Sequence, residues 1–165
     1  MKDPSNKSLF VCYDIQMREI EVKALLKDKE SFLQKASKKG INFSSPIIQE
    51  DVTYETKTPY DDPRWNIFRI RKQGDKVILT MKYKASNRSR DNHEHETIIE
   101  DAEQVADMLE RIGYTLGIRV RKSRQIAKYK DLELCLDEVD GLGSFVEVEK
   151  LVDENVSIDA TQSEL

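Results

Sequence analysis

Cysteine is scarce in this chain: two residues in 165, Cys12 and Cys135. Their separation matches no metal-ligand spacing and gives no disulfide framework, so a reduced, cytoplasmic setting is expected. Long apolar runs are missing as well. No stretch approaches the roughly 20 residues a membrane span needs. The opening "MKDPSNKSLFVCYDIQ" lacks the extended apolar segment of a signal peptide. Nor is there an excess of positive charge. The chain carries 27 Lys and Arg against 31 Asp and Glu, a net charge of −4, so no overall basic field favours nucleic acid or an anionic membrane. Internal repeats and low-complexity segments are absent too.

What is abundant is charge of both signs. Charged residues make up 35% of the chain and apolar residues 38%, which is polar for a globular protein yet not a disordered composition. A chain of 165 residues is long enough for one domain with a real core.

Two segments have helical periodicity. In 28–40, Asp28 can cap the start, Phe32, Leu33 and Ala36 form an apolar stripe, and Gly40 suits the end. In 101–113, Val105, Met108, Leu109 and Ile112 recur at helical spacing, with Gly113 as the stop. Period-two alternation predicts eight strands, at 16–26, 48–57, 66–73, 76–85, 93–100, 117–129, 131–139 and 144–151. "KQGDK" (72–76) and "VDGLG" (139–143) are hairpin turns, so the strands they join are antiparallel. "KTPYDDPRW", with two prolines, is a loop.

The strands carry their charges in rows. In "REIEVKALL" (18–26), Glu19, Glu21 and Lys23 fall on one face, and Ile20, Val22 and Ala24 on the other. For one strand alone, a solvated face explains this. The pattern recurs, however. Arg69 and Arg71 share a face, as do Thr80, Lys82 and Lys84. Glu94 and Glu96 form a third row, Lys122 and Arg124 a fourth, Glu133 and Asp137 a fifth, and Glu147 and Glu149 a sixth. The signs are segregated by strand, whereas a solubilising surface is better served by mixed signs. A sheet closed into a barrel with these rows inward would set cations against anions across a polar lumen. The two helices would then cover part of the outward apolar rows. The inward guanidinium and ammonium groups suit phosphate oxygens. The carboxylates are hard oxygen ligands for Mg²⁺ or Mn²⁺. The expected fold class is therefore α+β: an eight-stranded antiparallel β-barrel, or tunnel, with a charged lumen and flanking helices.

The ordered set "EIEVK", "FRIRK", "LTMKYK", "HETIIED", "VRKSR" and "LCLDEVDGLGSFVEVE" resembles the CYTH superfamily, the triphosphate tunnel metalloenzymes. The resemblance runs from about Arg18 to Leu151. It implies a tunnel that binds a triphosphate together with Mg²⁺ or Mn²⁺. By this resemblance Glu19, Glu21, Asp137, Glu147 and Glu149 serve the metal. Lys23, Arg69, Arg71, Lys82, Lys84, Lys122 and Arg124 hold phosphate. Lys23 and Glu96 form the catalytic set. The class IV adenylate cyclase-like branch is the nearest match, through "LDEVDGLGSFVEVE" and the "GY"–"VRKSR" spacing. It implies conversion of ATP to cyclic AMP and pyrophosphate. Hydrolysis of inorganic or thiamine triphosphate is the alternative, and a non-catalytic polyphosphate- or nucleotide-binding module a further one. The partner is a small-molecule triphosphate, with no nucleic acid and no membrane; a homodimer is left open.

Three further expectations follow. Residues 1–16 form a poorly ordered leader, and 17–165 a single tunnel domain lacking part of a C-terminal helix, whose cap is Ser157 or Asp159. His93 and His95 face away from Glu94 and Glu96 and sit on the surface. Tyr60 and Trp65, beside the tunnel mouth, are candidates for stacking on adenine, with local packing as the competing role.

Overall fold

The computed structural model describes residues 17–84 and 92–153. The expected leader and the C-terminal helix start lie outside them. The order is β1 (Met17–Leu26), α1 (Lys29–Lys38), β2 (Ile47–Glu55), β3 (Asn66–Gln73), β4 (Lys76–Lys84), β5 (Asn92–Ile99), α2 (Ala102–Arg111), β6 (Thr115–Tyr129), β7 (Leu132–Val139) and β8 (Gly143–Asp153). All eight strands join one antiparallel sheet in the order β1-β8-β7-β6-β2-β3-β4-β5. It curls into a half-barrel of the tunnel type.

Two four-stranded halves meet where β2 pairs with β6. One is the meander β2 to β5. The other is the meander β6 to β8 with β1 added at its edge. Barrel closure is the route by which sequence order would bring first and last strands together. Here β1 and β8 are direct partners inside the sheet, and the sheet's two ends are β1 and β5.

Both helices start at a capping aspartate. Asp28 accepts a hydrogen bond from Ser31 N, and Asp101 from Gln104 N, both at 2.9 Å. Each satisfies an otherwise orphaned backbone donor. α2 packs outside the β2–β5 half, where Leu109 is buried with Tyr54 and Ile70 and flanked by Ala102, Val105, Ala106 and Phe68. Its buried stripe is thus 102, 105, 106, 109, one turn earlier than the sequence predicts. Met108 and Ile112 are exposed, and Ile112 is already the C-cap residue. α1 contributes Ala36 to a smaller cluster with Ile41 and Ala127, against which Phe43 and Tyr129 pack.

Geometry requires glycine at Gly141 and at Gly117 for different reasons. Gly141, at φ 76°, turns β7 into β8. Gly117 sits where the β2–β6 register shifts, and a Cβ there would lie 2.4 Å from Thr53 Oγ1.

Candidate functional site

Strand period and register put the charged rows on the concave face, with the helices behind the other. Across the sheet, Arg71 stands opposite Asp51, Arg69 opposite Thr80, Thr80 opposite Glu96, and Lys82 diagonal to Arg69 and opposite Glu94. In the second half Arg124 opposes Asp137, Lys23 opposes Glu147, and Glu21 opposes Glu149.

In the β2–β5 half, Arg71 grips Asp51 with a fork. Nε donates to Oδ1 at 2.7 Å and Nη2 to Oδ2 at 2.8 Å. Both residues are buried, at 9% and 8% exposure. Burial pushes the Asp51 carboxyl up, but the hydrogen bonds and charge of Arg71 outweigh it and hold the group below its ordinary range. One rung along, Gln49 Nε2 donates to Gln73 Oε1 at 2.7 Å. In the other direction Arg69 Nη2 donates to Thr80 Oγ1 and to Glu96 Oε1, both at 3.1 Å, and the Thr80 hydroxyl donates to Glu96 at 2.7 Å. Glu94 pairs with Lys82 and lies 3.5 Å from Arg69. Arg69 Nε is buried and has no acceptor among the described residues.

Lys84 is buried at the end of β4 with its ammonium 3.9 Å from the centre of the Tyr60 ring. Tyr60 also meets Trp65 edge-on, at 4.8 Å. The two aromatics therefore pack locally, and the Tyr60 face is covered by a cation.

In the β6–β7–β8–β1 half, Asp137 is 2% exposed. Its Oδ1 accepts from Arg124 Nε at 2.7 Å, and Oδ2 accepts from Arg124 Nη2 and from Lys122 Nζ, each at 2.6 Å. Arg124 also bonds Glu147, which in turn receives Lys23. Burial lifts the Asp137 and Glu147 carboxyls, but the cations around them hold both below the ordinary range. Burial pulls Lys23 down, but Glu147 more than compensates, and the group stays cationic above its usual range. Lys122 goes the other way, lowered by burial and then by the neighbouring Arg124. Glu21, Glu147 and Glu149 each offer a carboxylate oxygen, all within 4.8 Å of one another, and so do Glu133 and Glu149 with the Cys135 sulfur. The first trio is all hard oxygen and fits Mg²⁺ or Mn²⁺. The Cys135 thiol is fully buried and pushed up to about 12, chiefly by burial, so it stays protonated.

The geometry thus brings Glu21, Lys23, Lys122, Arg124, Asp137, Glu147 and Glu149 into one connected network, and Arg69, Lys82 and Glu96 into another. Arg71 stands with Asp51, and Lys84 is set apart against Tyr60. Glu19 lies on β1 opposite Leu151; its side chain is outside the described residues. Sequence reasoning missed Asp51, which has no like-charged residue two positions away in "IIQEDVTYE" and so forms no row. The available signal was its phase: Gln49, Asp51 and Thr53 alternate with Glu50, Val52 and Tyr54. His93 and His95 face outward with Tyr83, whose hydroxyl lies 3.0 Å from His95 Nε2. A cavity of about 620 Å³ lies under α2, lined by Val52, Tyr54, Ile70, Ala102, Ala106 and Arg119 among others. Asp51 contributes to its lining, but none of the residues assigned to metal or phosphate does, so the cavity is a gap behind the sheet.

A curled antiparallel sheet with a sign-sorted, ion-paired concave face defines a class, that of the charged β tunnels. The chain belongs to the CYTH domain family, whose pattern matches residues 17–165. It is 31% identical, over 137 residues, to a protein of Methanocaldococcus jannaschii named "putative adenylate cyclase", covering 82% of this chain and 78% of that one. Among solved structures it is similar to the PH1819 protein of Pyrococcus horikoshii, at 29% identity and a TM-score of 0.70, over 88% of this chain and 85% of that one. The PH1012 protein of the same organism superposes with a TM-score of 0.71 at 26% identity, over 88% and 84%. No helix among the described residues is long and apolar enough to cross a membrane.

Proposed function

We propose that this chain is a divalent-metal-dependent enzyme acting on a small triphosphate held along the concave face, of the adenylate cyclase-like kind: ATP to cyclic AMP and pyrophosphate. One observation carries the reading. The carboxylates of Glu21, Glu147 and Glu149 converge within 4.8 Å, on two paired strands, beside the cations Lys23 and Arg124. Such a trio repels itself and invites a cation. A divalent ion held there would supply positive charge to neutralise phosphate oxygens.

The remaining work falls to side chains. Lys23, kept protonated by Glu147, acts as a fixed positive charge for a phosphate oxygen and not as a base. Arg69, Arg71, Lys82, Lys122 and Arg124 present N–H donors to the rest of the polyphosphate, and Lys84 adds its charge near the mouth. Glu96 is the candidate proton acceptor. In a cyclase the ribose 3′-oxygen bonds to the α-phosphorus, the bond from that phosphorus to the bridging oxygen breaks, pyrophosphate leaves, and the hydroxyl proton passes to the base.

A second reading, hydrolysis of a base-free triphosphate at its terminal phosphorus, is favoured by Tyr60. Lys84 occupies one face of its ring and leaves less of it for an adenine. Incubation with ATP, inorganic triphosphate or thiamine triphosphate plus Mg²⁺ or Mn²⁺, with products resolved by ³¹P NMR, tests both. Cyclic AMP with pyrophosphate supports the first reading, and orthophosphate release supports the second. No turnover of any of the three would reject the enzyme.

A further inference from the structure

We infer that Asp51 is a positioning residue: it fixes the Arg71 guanidinium on the concave face so that the donors left over meet the polyphosphate. The inference rests on the triphosphate reading above. The inward cations of β3 and β4 are held in different ways. Arg69 and Lys82 pair with Glu94 and Glu96, and Glu96 keeps half of its side chain in water. Such contacts exchange readily with solvent or with a competing anion. Asp51 differs on every count. It is buried, both its oxygens are engaged, and both are engaged by the same guanidinium in parallel.

That fork consumes the Nε–Nη2 edge of Arg71 and leaves the other donors of its five N–H groups directed elsewhere. An arginine without such a partner loses its orientation to side-chain rotamer freedom. The neighbouring rung is tied as well, because Gln49, itself buried, bonds Gln73 across the same pair of strands. Asp51 also feels Arg69 and Lys122. It therefore stands between the two groups of inward cations and offsets part of their mutual repulsion. The metal trio lies strands away on β8 and β1, so the role of Asp51 is toward phosphate.

Calorimetric titration of the full chain with inorganic triphosphate, in chelator so that no turnover occurs, tests this. Asp51→Asn keeps the shape but removes the charge that aligns the fork, and should weaken binding about tenfold, as loss of a supporting partner does elsewhere. Arg71→Lys keeps the ion pair but has no fork. It should cost about as much and covers the case in which Asp51→Asn folds poorly. The double variant should bind no worse than Arg71→Lys alone. Unchanged binding in Asp51→Asn, or full additivity in the double, would overturn the inference while the triphosphate reading stands. Failure of the unmodified chain to bind inorganic triphosphate would remove that reading and this inference with it.

Discussion

In the β2–β5 half the inward carboxylates answer cations one for one: Asp51 to Arg71, Glu96 to Arg69, Glu94 to Lys82. In the β6–β7–β8–β1 half they outnumber their partners and converge, with Glu21, Glu147 and Glu149 in mutual reach. The two halves share strand period, antiparallel pairing and an outer helix. They differ in register. Where a carboxylate row lies opposite a cation row, the charges cancel. Where Glu21 lies opposite Glu149, they do not, and the imbalance is available to a metal ion. On the proposed reading, one concave face offers an anion site in one half and a cation site in the other, as a metal-bound polyphosphate needs.

The largest expected effect breaks the converging half. Glu147→Gln removes a ligand oxygen's charge and the partner of Lys23 and Arg124, and should lower turnover about a hundredfold at low metal. A product assay over a Mn²⁺ series checks this, and partial recovery at high Mn²⁺ is expected. Next comes the answering half. Arg71→Ala should weaken triphosphate binding about thirtyfold, in line with loss of a charge-assisted pair. It also strands the buried Asp51. Melting temperature should therefore fall, and should recover in part when Asp51→Asn is added.

Acid treats the two halves alike. Asp51, Asp137 and Glu147 have carboxyls held below ordinary values of 3.8, 3.8 and 4.5. A lowered folded-state pKa contributes stability that is present above the unfolded value and lost as pH falls through the folded one. Melting temperature should be level from neutral pH down to about 5 and fall steeply below about 4. A melting series across pH checks the window. The smallest effect is at Cys135. Its buried thiol should resist iodoacetamide at pH 7.5 in the folded chain and react only on unfolding, as read by peptide mapping.

Much of this was legible before any coordinates. The rows of Arg69 and Arg71 or Glu147 and Glu149 follow from the period of two alone, and the turns at "KQGDK" and "VDGLG" name their own hairpins. What stayed hidden depends on pairing between distant segments. Asp51 meets Arg71 through the pairing of β2 with β3, but nothing local says that β2 also meets β6, so nothing local sets Asp51 within the field of Lys122. The sequence places the stripe of α2 one turn late, because Met108 and Ile112 are apolar and in phase, yet the helix ends before Ile112 can bury. Tyr60 and Lys84 lie 24 residues apart and meet only through the loop that follows β2.

Manganese titration followed by electron paramagnetic resonance tests the central claim most directly, that Glu21 of β1 joins Glu147 and Glu149 of β8 in holding a divalent cation. The unmodified chain should bind Mn²⁺, and inorganic triphosphate should tighten that binding. Glu21→Gln should weaken it about tenfold with melting temperature level or raised, since one repelling charge is gone. Equal Mn²⁺ affinity in the two proteins, with and without triphosphate, would mean that Glu21 faces water and would contradict the account.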